Sequence, residues 1–296
     1  EQEGAKKGYN PKKKGRNSHH PIIAFVNDVK MVANFWLRSG DTSSANNFVG
    51  FLEETLLNFG DKKVGLVRLD SGFFQKDIMD YLELKTLQYI IAAKFTHPIQ
   101  HLIDQQDFWI KVDEGIEICD KYYQAKNWEK PRRIVIVRQK TAQRPNAAGR
   151  ILSLFPEDEI HRNYRYSAYI TNQEQSATDV WRTYRNRGDA ENRIKELKAD
   201  FGAESFNLKG FFPTEAALIF SMIAYNLMSI FRLFVLQEKT QKTLSTLRYR
   251  TFAIGAYFEK VGDTLKLKIA LTKKRRKWFV GIWDYPIDLS QKISTA

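Results

Sequence analysis

The segment from Trp181 to Phe201 places acidic, basic and aromatic side chains at helical spacing. At about 100° of rotation per residue, one helix would carry four of them on a stripe about 60° wide: Tyr184, Arg187, Glu191 and Lys198. A carboxylate flanked by cations suits a divalent metal ion with phosphate groups beside it. The same pattern is also typical of a solvated helix with charge pairs. Geometry alone leaves both interpretations open.

The other faces of this predicted helix set Glu191 apart from the neighbouring acids. The wheel predicts an apolar face that docks on a sheet, made of Ala190, Ile194, Leu197 and Phe201. It predicts a solvent-facing group of acids: Asp189, Glu196 and Asp200. Glu191 is then the acid of this helix that shares a face with cations.

A second candidate carboxylate, Asp70, follows the nearly continuous apolar run Val64–Leu69. Such a run is typical of a central strand that is buried on both faces. A helical pattern with Ile78, Met79 and Leu82 and a second β-prone run, Leu87–Phe95, come next. Residues 64–95 are therefore predicted to form a β-α-β unit with parallel strands, and Asp70 lies at the carboxyl end of its first strand.

The elements around these residues indicate an α/β protein. Pro21–Val26 and Met31–Leu37 predict an antiparallel hairpin that feeds a mixed sheet. Asn46–Phe59 predicts a helix, with Ser43 or Ser44 as its cap. Between residues 97 and 171, short alternating stretches predict an inserted β region, at Trp109–Val112, Ile116–Ile118, Arg132–Arg138 and Arg165–Ile170.

Three elements are predicted after this region. Ser176–Phe201 and Pro213–Leu236 read as two long helices. The tail reads as a hairpin of Leu265–Ala270 and Lys277–Trp283, with Lys273–Arg276 in its turn.

Composition indicates a folded protein with an anionic partner. The 296 residues include 47 Lys and Arg against 34 Asp and Glu, a net charge of +13, and 43% are hydrophobic, which argues against a mainly disordered chain. A pI near 9.6 favours nucleic acid as the partner. The first twenty residues are predicted to be an extended basic segment that reaches phosphates, and the run Lys273–Lys277 is either a DNA-backbone contact or an exposed basic turn.

The expected compartment is the reducing cytosol. Cys119 is the single cysteine, so neither a disulfide framework nor a multi-cysteine zinc site is expected. The first residues lack the basic-then-apolar order of a secretory signal. The apolar stretch Ala216–Phe231 is interrupted by Tyr225, Asn226 and Ser229, which favours a buried core helix over a membrane span.

The spacing Tyr184-x2-Arg187-x3-Glu191-x6-Lys198 resembles the Y-R-E-K signature of bacterial insertion-sequence transposases that have a D-D-E active site. Gln2–Ser18 and Val67–Phe73 also resemble one branch of that family. The resemblance implies a ribonuclease-H-like mixed sheet flanked by helices and interrupted by a β-rich insertion. It identifies Asp70 as the second catalytic Asp and Glu191 as the catalytic Glu, both ligands of two Mg²⁺ or Mn²⁺ ions, with Tyr184, Arg187 and Lys198 on the DNA.

The first catalytic Asp of the family has no counterpart in this sequence. It would lie on a strand shortly before the basic Gly-Tyr-Asn-Pro segment, whereas the sequence starts at Glu1. Asp28 and Asp41 are interpreted as turn residues and are not assigned to the site. The chain is therefore expected to be an N-terminally truncated member with impaired activity.

The expected domain organisation combines these patterns with the resemblance. Residues 1–96 form the first part of the catalytic domain, 97–171 the β-rich insertion, 172–240 the helical second part with Glu191, and 241–296 a basic C-terminal region.

The leading hypothesis is a cytoplasmic transposase that cleaves DNA at element ends and joins the freed 3′-OH to target DNA. The family implies a homodimer on paired ends and no membrane partner. One alternative is a non-catalytic DNA-binding transposase remnant or regulator. Another is a related nuclease that cuts without joining.

Overall fold

A computed structural model describes residues 2–8, 14–141, 163–237 and 242–284 of the chain. Lys12 and Lys13 of the predicted basic segment lie outside these residues, as do 142–162 of the predicted β region and the last twelve positions. The chain divides into two compact units. The central unit is Thr42–Asp189, and the terminal unit joins Glu1–Asp41 to Ala190–Ala296.

Strands and short helices alternate along the first part of the chain. In chain order they are β1 Lys6–Lys7, β2 Asn17–Ser18, β3 Ile22–Val26, β4 Met31–Trp36, α1 Phe48–Phe59, β5 Val67–Leu69, α2 Lys76–Leu84, β6 Tyr89–Ala92, α3 His97–Asp104, β7 Ile110–Asp113, β8 Ile116–Tyr123, β9 Arg132–Lys140 and β10 Tyr164–Thr171. There follow α4 Ala177–Arg185, α5 Gly188–Asp200, α6 Phe211–Ile230, α7 Leu244–Leu247, β11 Ala256–Val261, β12 Thr264–Ile269 and α8 Lys273–Trp283.

The central unit is built on a mixed sheet. Among the described residues its six strands run in the order β5-β6-β10-β9-β8-β7. β5 and β6 are parallel, as the β-α-β pattern predicts, and the other pairs are antiparallel. The strands predicted between 97 and 171 are present and continue this same sheet. Helix α4 packs Val180 and Trp181 onto the sheet, against residues such as Ile90 and Val135.

Strand β5 is an edge strand, so the expectation of a central strand that ends at Asp70 is wrong for the described residues. β5 spans three residues, and its partner there is β6. Val67 and Arg68 are half-buried and only Leu69 is buried. An apolar run signals burial but does not reveal how many neighbours a strand has.

The terminal unit is held together by packing between α6 and the hairpin β3–β4. Met222 and Tyr225 of α6 form a buried cluster with Val32 of β4 and Leu197 of α5. The side chain of Asn226 accepts a hydrogen bond from the Val32 amide at 2.8 Å and donates one to the Val32 carbonyl at 2.9 Å. The predicted hairpin is confirmed, but it forms its own two-stranded sheet and does not feed the mixed sheet.

The described parts of the basic N-terminal segment, 2–8 and 14–20, contain two short strands and are anchored within the terminal unit. β1 pairs with β2, and Lys6 Nζ lies 3.2 Å from Asp41 Oδ2. At Gly8 a Cβ would lie 1.6 Å from the carbonyl oxygen of Gly40, so this close approach requires glycine. Asp28 and Asp41 both lie in turns, as expected.

The single helix predicted over Ser176–Phe201 is wrong, because α4 and α5 are separate. The chain turns at Asn186 and Arg187, where the Arg187 amide donates to the carbonyl of Tyr184 at 2.8 Å, three residues back. A helical wheel cannot be continued through this turn. Tyr184, Arg187, Glu191 and Lys198 therefore do not share one helix face.

Helix α6 differs from the predicted buried core helix because one side of it is exposed. Leu218, Met222 and Tyr225 are buried, whereas Phe220 is 72% and Leu227 is 61% exposed. The stretch Phe211–Leu236 is long and apolar enough to span a membrane by length and composition, and 33% of its most apolar part is buried. Length and composition alone are weak evidence, since core helices of soluble proteins share them.

Two smaller expectations about element ends are also wrong. The tail hairpin is formed by β11 and β12, and Lys273–Trp283 is the helix α8, so the basic run is helical and not a turn. Helix α1 begins after Asn47, which has a left-handed backbone, and neither Ser43 nor Ser44 is its cap.

Candidate active site

Asp70 lies at the carboxyl end of β5, where its carboxylate organises the following turn. Its Oδ1 accepts a hydrogen bond from the Gly72 amide at 2.8 Å and so caps the 3-10 turn Ser71–Phe73. Asp70 is therefore the capping residue, by the mechanism usual for Asp before a helical turn. The cap fixes the orientation of the carboxylate.

The position after Ser71 is glycine because the turn is tightly packed there. A Cβ at Gly72 would lie 2.7 Å from Ser44 Cβ and 2.9 Å from Asp70 Oδ1. The turn therefore has no room for a side chain at this position. Phe73 then packs its ring against Phe48 of α1, with 4.8 Å between the centroids.

Arg187 contacts the other oxygen of Asp70. Its Nη2 donates to Oδ2 at 3.1 Å, and the side chains of Arg187 and Asp70 are 26% and 43% exposed. Residues 117 positions apart in sequence are thus brought together within the central unit. The turn between α4 and α5 supplies this cation.

Tyr184 supports Arg187 and is itself packed on the sheet. The Arg187 guanidinium lies 5.9 Å from the Tyr184 ring centroid, and the rings of Tyr184 and Tyr169 lie 4.5 Å apart. Burial raises the pKa of the Tyr184 hydroxyl to about 12, although the nearby Arg187 charge opposes the shift. Near neutral pH the hydroxyl is protonated and is available as a hydrogen-bond donor.

A shallow cleft of about 370 Å³ opens beside this cluster. Its walls come from Ser71, from Ala92–Phe95 after β6, and from Tyr166–Tyr169 of β10. Lys94 is exposed at this cleft. An anionic group in the cleft would therefore lie beside a cation on one wall.

Glu191 and Lys198 lie on the part of α5 that belongs to the terminal unit. Both are exposed, and a separation of seven residues, about two turns, keeps them on one face of the helix. Lys198 Nζ lies 3.9 Å from Glu204 Oε2. The structure thus brings Asp70, Tyr184 and Arg187 together, and the proximity of Asp70 to Glu191 stays a prediction.

The expectation that Glu196 faces solvent is wrong. Its side chain is 7% exposed and forms an ion pair with Arg232, which is 5% exposed. It also accepts a hydrogen bond from the Leu244 amide at 2.9 Å. Sequence spacing within α5 did not reveal this, because the partner lies 36 residues away.

The donor chemistry at Asp70 suits a hard divalent cation, but the described residues contain no complete site. Carboxylate oxygen is the ligand that Mg²⁺ prefers, and each oxygen of Asp70 keeps a lone pair beyond its present hydrogen bond. No group of three His, Cys, Asp or Glu residues able to hold a metal ion occurs within the ranges that the structure describes. Asp70 therefore fits as one ligand among several.

Sequence reasoning missed Arg68 and Lys94 near the site. Arg68 Nη1 donates to the carbonyl of Thr183 at 2.8 Å and thus ties β5 to α4, two residues before Asp70. A lone Arg inside an apolar strand was the available signal for Arg68. Lys94 carried no distinguishing pattern, since its position depends on the pairing of β6 with β10.

The family described as transposase DDE domain group 1 matches residues 3–283 of the chain. A comparison with curated proteins gives no match. The matched segment includes every predicted site residue, from Asp70 to Lys198.

Proposed function

This chain belongs to the family of transposase DDE domains of group 1, and we propose that it is the transposase of a bacterial insertion sequence. In this proposal it hydrolyses a phosphodiester at each end of the element and joins the freed 3′-OH to target DNA. The observation that carries the proposal is the family match over nearly the whole chain. The contact between Asp70 and Arg187 supports it, since it joins two of the predicted site residues.

In this proposal Asp70 and Glu191 are the catalytic carboxylates and ligands of two Mg²⁺ or Mn²⁺ ions. Ions held in this way activate the attacking oxygen and stabilise the leaving oxygen of an in-line displacement. Asp70 is suited to the role because Gly72 fixes its carboxylate while the side chain stays partly exposed.

We assign Tyr184, Arg187 and Lys198 to the DNA end. The Arg187 guanidinium can grip a phosphate with two donors, and Lys198 acts as a point charge. The protonated Tyr184 hydroxyl is a further donor. When a phosphate replaces Asp70 as the partner of Arg187, the Asp70 oxygen becomes available for a cation.

We further propose that the central sheet is a ribonuclease-H-like sheet. In this proposal the first part of the catalytic domain is 1–96 and its helical second part is 172–240. The β-rich insertion is 97–171, and a basic C-terminal region is 241–296. The strands of 97–171 support the β-rich assignment and continue the sheet of β5 and β6. A homodimer on paired DNA ends and a cytoplasmic location complete the proposal.

A second candidate function is a non-catalytic DNA-binding regulator. The net charge of +13 favours this candidate, because it supports DNA binding whether or not the chain cleaves DNA. A nuclease that cuts without joining is disfavoured by the Tyr184, Arg187, Glu191 and Lys198 spacing, which resembles that of strand-transferring enzymes.

The experiment is a cleavage and joining assay on an oligonucleotide of an element end with Mg²⁺. It compares the chain, a form extended upstream, and the Asp70→Ala and Glu191→Ala variants of the extended form. A transposase gives cleaved and joined products, and either substitution abolishes both. A regulator gives neither product in any form, and a variant that retains the full rate removes that residue from the site.

A further inference from the structure

The C-terminal arm, residues 253–283, carries a dense excess of positive charge. From Thr264 to Trp283 the sequence contains seven cations and no acid: Lys266, Lys268, Lys273, Lys274, Arg275, Arg276 and Lys277. All seven are exposed. The arm therefore presents a concentrated positive field to solvent.

This charge does not stabilise the helix that bears most of it. Helix α8 begins with five consecutive cations and has no acid in its first turn. Like charges three or four residues apart repel each other, and cations near a helix start oppose the helix dipole. The run therefore does not serve the stability of the helix, and an external anionic partner would neutralise it.

The hairpin of the arm extends the same surface. Tyr257 pairs with Lys268, and Glu259 pairs with Lys266, so these side chains share one face. Tyr257 is 63% exposed on that face. The ion pair of Lys268 with Glu259, at 3.2 Å, offsets one charge and leaves the other cations in excess.

Aromatic rings follow the cations on α8: Trp278 and Phe279 are half-buried and Trp283 is exposed. Phe279 and Trp283 stack at 6.0 Å with 24° between their planes, and Trp283 is 68% exposed. The Arg250 guanidinium lies 5.1 Å from the Trp278 ring centroid, which ties the helix to the preceding segment. Cations next to aromatic rings on one element occur on nucleic-acid surfaces, where phosphates and bases are contacted together.

The distribution of the charge distinguishes DNA from a membrane surface. A helix that lies on a membrane has its cations on one face and its apolar residues on the other. The five consecutive cations of α8 are spaced by about 100° and so surround the helix completely. A helix with cations on every side can contact DNA phosphates in several orientations, whereas a flat bilayer would contact the cations of one face only.

We propose that the C-terminal arm is a second DNA-binding surface, in which Lys266, Lys268 and Lys273–Lys277 bind backbone phosphates. The proposal rests on the transposase function proposed above and adds a contact outside the Asp70 cluster. Binding through phosphates is independent of sequence and sensitive to salt. The arm therefore contributes affinity for flanking or target DNA, not recognition of the element end.

The test uses the 296-residue chain with four substitutions, Lys273→Gln, Lys274→Gln, Arg275→Gln and Arg276→Gln. The matched control keeps the charge with Lys273→Arg, Lys274→Arg, Arg275→Lys and Arg276→Lys. Fluorescence anisotropy measures the dissociation constant for a duplex of arbitrary sequence at several salt concentrations. Circular dichroism checks that all forms are equally folded, and a hairpin variant, Lys266→Gln with Lys268→Gln, samples the arm without altering α8.

The proposal predicts that the Gln variant lowers the slope of log affinity against log salt by about 2–4, since each lost phosphate contact contributes about 0.9. The charge-preserving control keeps the slope of the unmodified chain. An unchanged slope in the Gln and hairpin variants overturns the proposal. The proposal is also overturned if the Gln variant loses binding to phosphatidylserine vesicles while its DNA binding stays intact, which would assign the arm to a membrane.

The two proposals fail in different ways. If the unmodified chain binds DNA steeply with salt and the Gln variant matches it, the arm proposal falls and the transposase proposal stands. If the unmodified chain binds no DNA at any salt concentration, both fall.

Discussion

Asp70 makes two contacts that bear on its proposed chemistry. One oxygen caps the turn through Gly72 and the other holds Arg187. The first contact fixes the side chain, and the second places a positive charge beside the carboxylate. In the proposed site a metal ion would use the remaining lone pairs of Asp70, so its charge and that of Arg187 would share one carboxylate and repel each other.

Arg187→Gln is predicted to strengthen Mn²⁺ binding by a factor of about 1.5–5. The interaction of Arg187 with Asp70 is worth about 0.2–1 kcal/mol, the range of a partly exposed ion pair, and its removal leaves the full Asp70 charge to the metal. Electron paramagnetic resonance of free Mn²⁺ measures the affinity without any need for activity. Arg185→Gln is the control, because it removes an equal charge from a side chain that lies over Trp181 of α4. Equal or weaker Mn²⁺ binding by Arg187→Gln would contradict repulsion between the two cations.

Glu83 predicts a pH dependence of stability in the central unit. Burial by itself would raise the pKa of Glu83, but hydrogen bonds from Arg132, Lys130 and Tyr89 lower it from 4.5 to about 2. A pKa lowered by folding contributes stability that is complete above about pH 4.5 and is lost as the pH falls towards 2. Arg132 is 3% exposed, and the carboxylates of Glu83 and Asp80 stabilise its buried charge.

The measurement is urea unfolding of the chain and of Glu83→Gln between pH 7 and pH 2.5. Glu83→Gln is expected to be less stable at pH 7, and the difference should shrink steadily below pH 4.5. Glu129→Gln is the control, because Glu129 is 88% exposed and pairs with Lys76 at 3.2 Å. A difference that stays constant over this range would rule out the lowered pKa as its cause.

At the scale of elements, the sequence predicts the types of most helices and strands and misses where some of them end. The hairpin β3–β4, the parallel pair β5–β6 and the helix α1 follow from local periodicity. The turn at Asn186 and Arg187 cannot be predicted from local periodicity, because Asn186 itself keeps a helical backbone with φ −62° and ψ −13°. Gly188, a poor helix former, was the one local signal.

The candidate site was predictable for a different reason from the fold. Asp70 follows a strand and precedes Ser71 and Gly72, so its place at the carboxyl end of a strand could be predicted from the sequence, whereas the position of that strand at the edge of the sheet could not. The partnership of Asp70 with Arg187 could not be predicted by a helical wheel, since Arg187 lies in a turn. The partner of Glu196 was likewise hidden, because pairs that are distant in sequence depend on tertiary packing.

Glu196→Ala is predicted to destabilise the terminal unit by about 3–5 kcal/mol, because it leaves the Arg232 charge buried without a partner. It also removes the acceptor of the Leu244 amide at the start of α7. Urea unfolding measures the change. Lys195→Ala, at the exposed neighbouring position, should have an effect of less than about 0.5 kcal/mol.

The double variant Glu196→Leu with Arg232→Met provides the decisive comparison. Replacement of both partners by apolar residues removes the unpaired charge, and stability should largely recover. If the double variant is as unstable as Glu196→Ala, the loss comes from packing and not from the buried charge.

At the scale of the whole molecule, the family membership indicates an enzyme that acts on DNA, and the charge of +13 favours an anionic partner. Binding and chemistry are expected to separate when the metal is removed. Chelation with EDTA should abolish cleavage by an active, upstream-extended form, and Mg²⁺ or Mn²⁺ should restore it. Affinity for the same duplex should change by less than about threefold, since phosphate contacts by Lys and Arg persist.

A gel assay of cleavage and an anisotropy titration, made on the same samples, check this separation. Ca²⁺ is a useful control because it occupies oxygen sites with a looser geometry. Cleavage that continues in EDTA would refute a metal-dependent mechanism.

The central claim is that the carboxylates of Asp70 and Glu191 bind the same metal centre, and iron-directed cleavage of the protein tests it most directly. Fe²⁺ with ascorbate and peroxide generates hydroxyl radicals that cut the polypeptide close to the bound ion. The account predicts cuts near both Asp70 and Glu191, suppressed by excess Mg²⁺ and lost together in Asp70→Asn or in Glu191→Gln. Asp189→Asn, two residues from Glu191 and about 200° around the helix, should leave them intact. Cuts near one residue alone, or cuts that survive either substitution, would contradict a shared centre.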